Sequence, residues 1–152
     1  MINIQGSNKI KLAKESNRKK VFLGGTWNES KWRENLIKLL DNNKISWFDP
    51  IVKDWNEEAQ KKEIKERNNS DYVLYVITPK MTGVYSIFEV SDDSNKRPEK
   101  TLFCYLEKDG DEKFNKGQIK SLDQMAEEIK KNGANVFKSL EEVAKFLNNK
   151  GN

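Results

Sequence analysis

The run Tyr72-Val73-Leu74-Tyr75-Val76-Ile77-Thr78-Pro79 constrains the fold more than any other feature of this chain. It is almost unbroken in β-branched, aliphatic and aromatic residues, and a proline stops it. A strand with one face in water alternates apolar and polar side chains, whereas one without alternation is covered on both faces. Helices on both sides of a parallel sheet provide that cover. The remaining sequence has the matching punctuation. Val21-Phe22-Leu23-Gly24-Gly25-Thr26 reads as a buried strand opening into a tight turn. A helix follows, with Ser30 as its N-cap and Trp32, Leu36, Leu39 and Leu40 on one face. Ile45 to Phe48 is a short second strand ended by Asp49-Pro50. Residues 57–69 form a very polar helix, with Ala59 and Ile64 as its apolar anchors.

After the long strand, a loop with Met81 and Gly83 leads to a short helix from Tyr85 to about Ser94. Thr101 to Leu106 is another buried strand, within which Cys104 reads as a small core residue. A polar stretch with Gly110 and Gly117 precedes a helix from about Ser121 to Asn132. Val136-Phe137 is a brief strand. Ser139-Leu140-Glu141-Glu142 opens the last helix with a capping box, and Val143, Phe146 and Leu147 give it an apolar face. Five strands alternating with about five helices predict an α/β protein with a mainly parallel sheet between two helical layers.

Length and composition narrow the function. At 152 residues a single domain is expected, spanning 21–150 behind a basic arm at 1–20. The arm carries Lys9, Lys11, Lys14, Arg18, Lys19 and Lys20 against Glu15, while the body is near neutral. Such an arm reads as a solvated leader, and no nucleic-acid recognition motif accompanies it, so nucleic acid is not expected as a partner. There is no apolar run long enough for a membrane span and none resembling a secretory signal, so a cytoplasmic protein with no membrane partner is expected. The single cysteine excludes a disulfide framework and a cysteine-based zinc site. The chain has no histidine, which removes Ser-His-Asp, Cys-His and histidine–metal chemistry. Catalysis here must use carboxylates, lysine, tyrosine, hydroxyls or backbone dipoles.

In parallel α/β sheets ligands bind beyond the C-terminal ends of the strands, where strand order reverses. That directs attention to Gly24–Asn28, Asp49–Trp55 and Thr78–Glu89. The Gly24-Gly25-Thr26 turn allows close backbone approach but matches neither the dinucleotide fingerprint nor the phosphate loop. Trp27 and Trp55 are aromatic residues in these loops, and Trp55 suits either base stacking or core packing. Glu89 shares a helical face with Tyr85 and lies among Ile87, Phe88 and Val90, which suits either an ordinary exposed helical glutamate or a partly desolvated carboxylate able to act as a nucleophile. On charge pattern alone, Glu63 and Glu66 read as a solvated face, and Asp92 and Asp93 as solvated helix-end acids and not as metal ligands.

Phe22-Leu23-Gly24-Gly25-Thr26, Asp71, Tyr75-Val76-Ile77-Thr78-Pro79 and Gly83-Val84-Tyr85-Ser86-Ile87-Phe88-Glu89-Val90 together resemble the nucleoside 2-deoxyribosyltransferase family, most closely its nucleoside 2-deoxyribosyltransferase-like branch. The resemblance covers roughly residues 20–106. It implies a flavodoxin-like, Rossmann-like three-layer sandwich and cleavage of the N-glycosidic bond of a 2′-deoxynucleoside or deoxynucleotide. Glu89 matches the family's nucleophile, which forms a covalent deoxyribosyl ester before transfer to another base or to water. Glu63 falls where the family has an upstream aspartate, making it the candidate proton donor or base contact. Phe22, Gly24, Gly25, Thr26 and Trp27 match the pocket floor; Asp54 and Trp55 are expected to line it, with Thr78 and Pro79 at the strand end and Gly83, Tyr85 and Ser86 toward the sugar. Gly83 replaces an aspartate of the family, and Phe22 a tyrosine whose hydroxyl orients the glutamate; Tyr85 is the nearby hydroxyl that could take its place. The resemblance requires no metal and no cofactor, and implies a homo-oligomer. A module from another class, a nucleotide-binding or sensing domain without catalysis, would keep the same pocket.

Overall fold

The computed structural model describes residues 17–151; residues 1–16 of the basic arm lie outside them. Five strands form one all-parallel sheet in the order β2-β1-β3-β4-β7. They are β1 (Lys19–Gly25), β2 (Ile45–Phe48), β3 (Tyr72–Ile77), β4 (Thr101–Tyr105) and β7 (Asn135–Phe137), with β5 (Lys108–Asp109) and β6 (Glu112–Lys113) as a small antiparallel hairpin. The helices are α1 (Trp32–Leu39), α2 (Glu57–Asn69), α3 (Tyr85–Lys96), α4 (Lys116–Lys131) and α5 (Leu140–Lys150). This is the expected sandwich. Its strand order is that of flavodoxin-like folds, with the reversal between β1 and β3.

Alternation along the strands divides the core in two. Val21, Leu23, Leu74, Val76, Leu102 and Cys104 pack under Trp32, Leu36 and Leu40 and under Val143, Ala144 and Leu147 of α5. On the opposite face Phe22, Val73, Tyr75, Ile77, Phe103 and Tyr105 meet Val90 of α3 and Leu122, Ala126 and Ile129 of α4. The central β3 is buried throughout from Val73 to Ile77, as its unbroken apolar run requires. Cys104 is buried, which raises its thiol pKa to about 12.

Several local expectations are corrected. Lys31, not Ser30, is the N-cap of α1 and makes no side-chain cap; the Ser30 hydroxyl donates to Asp109 in the β5–β6 hairpin and accepts only a long 3.5 Å bond from Trp32 N–H. Leu39 is exposed at the end of α1. α2 reverses its expected facing: Ile64 is 52% exposed, while Glu63, Glu66 and Arg67 are half-buried. The helix docks through charge, with Lys20 Nζ 2.6 Å from Glu66 Oε2 and Arg67 bound to Asp93. α4 begins earlier than expected because Asn115 and Gln118 make a reciprocal capping box that outweighs Gly117 inside the first turn. At α5 Ser139 caps the Glu142 amide, but Glu142 accepts from Lys138 N–H, so the box is one-sided. Asp93 is not solvated; it is 1% exposed.

Candidate active site

At the reversal between β1 and β3 the chain leaves a cavity of about 320 Å³. That is near the small end of ligand pockets, which run from ~300 to 1,000 Å³. Its floor is set by two glycines that are both required. Gly24 pairs with Tyr75 across the sheet, and a Cβ at Gly24 would lie 2.7 Å from the Tyr75 ring. The missing side chain lets that ring lie over β1. Gly25 has φ +116°, and a Cβ there would fall 2.1 Å from the Val76 carbonyl oxygen.

Arg33 of α1 fastens this floor. Its Nε donates to Leu23 O at 3.0 Å, Nη1 to Thr26 O at 2.7 Å and Nη2 to Gly25 O at 3.4 Å. Trp32 Nε1 donates to the same Thr26 oxygen at 2.7 Å. The carbonyls at the end of β1 are thereby satisfied by side chains where the sheet ladder ends. Burial pushes the Arg33 pKa down to about 10, against the opposing pull of Asp49 and Glu63. Nothing in the spacing of Arg33 marked it as part of the site.

The cavity brings together most of the residues singled out in the sequence. Phe22, Gly24, Gly25, Trp27, Trp55, Glu63, Tyr85, Ser86 and Glu89 all line it, joined by Arg33, Pro50, Ile51 and Val52. Trp27 and Trp55 are 66% and 62% exposed, so the stacking alternative for Trp55 fits and core packing does not. Phe22 is buried and stacks on Phe48, with ring centroids 5.9 Å apart. Gly83 lies in a smaller adjoining cleft of about 140 Å³ with Thr26, Trp27, Tyr85 and Ser86.

Besides Gly83, four expected site residues are not brought to the main cavity wall. Thr26 is buried, and its Oγ1 accepts from Thr78 N–H at 2.9 Å, so both threonines tie the ends of β1 and β3 together. Pro79 follows them half-buried, and Asp54 is exposed on the loop after Pro50.

Glu89 is only 6% exposed. α3 positions it: the helix starts at Tyr85, just beyond the β3 loop, and turns this residue back against α2 and the sheet. Arg67 Nη1 lies 3.2 Å from Glu89 Oε2. Burial raises the Glu89 pKa to about 7; Arg67 resists that rise, Glu63 and Asp93 add to it, and Arg97 opposes it. At neutral pH the carboxyl therefore populates both protonation states, the condition a group needs to give and take charge in a reaction. The Tyr85 hydroxyl does not orient Glu89: its ring is exposed and stacks on Phe88 at 5.8 Å.

Behind Glu89 lies a charged cluster that charge pattern had hidden. Arg67 Nε and Nη2 donate to the two oxygens of Asp93 at 3.0 and 2.9 Å. Tyr75 Oη donates to Asp93 at 2.6 Å and Arg97 Nε at 2.9 Å. Burial works against the Asp93 charge, but the Arg67 and Tyr75 hydrogen bonds outweigh it and hold this carboxyl below its ordinary value. Burial and the Asp93 and Glu89 charges drive the Tyr75 hydroxyl well above the usual phenol range. Only the periodicity of α3, four residues from Glu89 to Asp93, could have pointed to this cluster.

A two-carboxylate cavity walled by aromatic rings can hold a flat heterocycle against the rings and present an electrophilic carbon to a desolvated carboxylate. No curated protein matches the chain. The family described as nucleoside 2-deoxyribosyltransferase like matches residues 18–108, from the first sheet strand through the hairpin's opening residue and across every element that lines the cavity. More than half of the sequence is matched in this way, and the chain belongs to the nucleoside 2-deoxyribosyltransferase-like family.

Proposed function

We propose that the protein is a cytoplasmic enzyme that cleaves the N-glycosidic bond of a 2′-deoxynucleoside or deoxynucleotide through Glu89. The observation that carries this reading is a buried, cation-contacted carboxylate opening on a cavity flanked by two exposed tryptophans. Trp27 and Trp55 stack on the base, and such stacking contributes ~1–3 kcal/mol per base. A Glu89 oxygen then attacks C1′. The new C–O bond forms as the C1′–N bond breaks, and the electron pair of that bond leaves with the base. Glu63, on the same cavity wall, supplies a proton to the departing base. In the second half a free base or water attacks C1′, loses its proton to the Glu63 carboxylate and releases the Glu89 carboxylate, so transfer and hydrolysis share one intermediate. Tyr85 and Ser86 contact the sugar. The chemistry draws on carboxylates alone, in keeping with a chain without histidine.

Self-association belongs to the same reading. Val84, Tyr85 and Phe88 leave an exposed apolar patch at the start of α3, beside the cavity mouth.

The test is chromatography of purified protein incubated with each deoxynucleoside and deoxynucleoside monophosphate, with and without a second free base, beside Glu89→Ala. Release of base or formation of a new nucleoside by the wild type, lost in Glu89→Ala, is the expected result. Dependence on the added base separates transfer from hydrolysis. Ligand-induced stabilisation without turnover would point instead to a binding module.

A further inference from the structure

A nucleophilic carboxylate needs one oxygen aimed at its target and the other held. At Glu89 the holding group is a residue that the reaction outlined above leaves unused. We propose that Arg67, locked in orientation by Asp93, is the positioning residue that holds Glu89 for attack and keeps the surrounding charges paired when Glu89 is esterified. The inference rests on the reading of Glu89 as the nucleophile.

The geometry is specific. Glu89 and Asp93 are one helical turn apart on α3, so both point toward Arg67 on α2. The guanidinium presents Nε and Nη2 to Asp93 as a two-bond fork, which fixes its plane and thereby the direction of Nη1. Nη1 lies 3.2 Å from Glu89 Oε2. Glu89 also lines the cavity. The carboxylate is therefore paired with Arg67 while it remains open to a substrate in the cavity.

Asp93 supplies what a lone arginine would lack. When Glu89 bonds to C1′ its charge disappears, and a guanidinium paired only with Glu89 would become a stranded buried cation. Arg67 keeps its two bonds to Asp93 throughout. Asp93 is itself fixed by Tyr75 and Arg97, and the Tyr75 ring reaches it across Gly24 because that position has no Cβ. Gly24 therefore supports the cluster as well as the cavity floor. Phe22 offers no hydroxyl to orient Glu89, and Arg67 performs that task.

The groups facing Glu89 are Arg67 and Glu63 from α2, Asp93 and Arg97 from α3, and Tyr75 from β3, with Arg33 of α1 across the cavity. Removal of Arg67 leaves the carboxyl with burial and two acidic neighbours, so its titration midpoint must rise. The experiment is a carbon-13 NMR titration of the Glu89 side-chain carboxyl, assigned by its loss in Glu89→Gln, in the wild type, Arg67→Met and Arg67→Lys. It is combined with the pH profile of kcat and KM on the best deoxynucleoside. The midpoint is expected to rise by about one pH unit or more in Arg67→Met and less in Arg67→Lys, whose point charge cannot serve both carboxylates. The acidic limb of kcat should move with it, and kcat should fall by about 100-fold with little change in KM. Should Arg67→Met fail to fold, Arg67→Lys decides by the same titration. A folded variant whose Glu89 midpoint is unmoved, or whose midpoint moves while the kcat profile does not, overturns the inference. A wild type without turnover refutes the glycosidic reading and this inference together; an active wild type with indifferent Arg67 variants refutes this inference alone.

Discussion

Burial of Glu89 costs the fold stability in return for a reactive carboxyl. Its pKa rises from 4.5 to about 7 in the native state. Between those values the native protein holds a proton that the unfolded chain has lost, so stability falls as pH rises through that window. Above pH 7 the charged carboxylate costs on the order of 3 kcal/mol, at about 1.4 kcal/mol per pH unit. Glu89→Gln is therefore expected to melt at a higher temperature than the wild type at pH 8, with the two converging toward pH 4.5; thermal unfolding at several pH values checks this. A wild type more stable than Glu89→Gln at pH 8 would contradict the assignment. At this scale the sequence was legible in part: Ile87 and Val90 beside Glu89 allowed a partly desolvated carboxylate, the spacing also suited an exposed one, and the structure buries it. It was silent on Arg67, one charge in a helix of charges whose partner Asp93 lies 26 residues away. Local charge pattern carries no record of a fork made across helices.

The elements around the site show the same division. The glycine pair was expected in a turn, whereas the structure keeps both glycines in β1, paired with Tyr75 and Val76, and gives each a separate reason. Gly25→Ala combines a positive φ with a Cβ 2.1 Å from a backbone oxygen, so it should cost several kcal/mol or abolish folding. Gly83→Ala has nothing within 4 Å of the new Cβ and should change stability by less than ~0.5 kcal/mol. Urea unfolding of the pair measures both. β3 was legible end to end because burial on two faces writes an unbroken apolar run. α2 was legible in extent but not in facing, since its inner side is polar and Ile64 points outward. The β5–β6 hairpin, with two residues in each strand, is too short to leave a periodic signal. The start of α4 was obscured by Gly117, although the Asn115–Gln118 spacing that overrides it was present in the sequence.

For the whole molecule, topology does the selecting. A parallel sheet in the order β2-β1-β3-β4-β7 reverses between β1 and β3, and that reversal gathers the loops bearing Trp27 and Trp55 and the helix bearing Glu89 around one cavity. Alternation of strands and helices was enough to foresee a cavity at this end of the sheet. The cross-helix charges and the Arg33 clasp were not foreseeable, because they depend on how elements distant in sequence meet. The exposure of the two tryptophans separates binding from folding: Trp55→Ala should weaken nucleoside binding by about 1–3 kcal/mol while leaving the melting temperature unchanged. Calorimetric titration beside a thermal melt would show it. The central claim is that Glu89 becomes covalently deoxyribosylated, and its most direct test is rapid acid quenching of the enzyme with a 2′-deoxynucleoside followed by intact-mass and peptide mass analysis. The account predicts a mass increase equal to one deoxyribosyl group, mapped to the peptide containing Glu89 and absent in Glu89→Gln. Base release by Glu89→Gln at the wild-type rate, with no adduct on either protein, would contradict it.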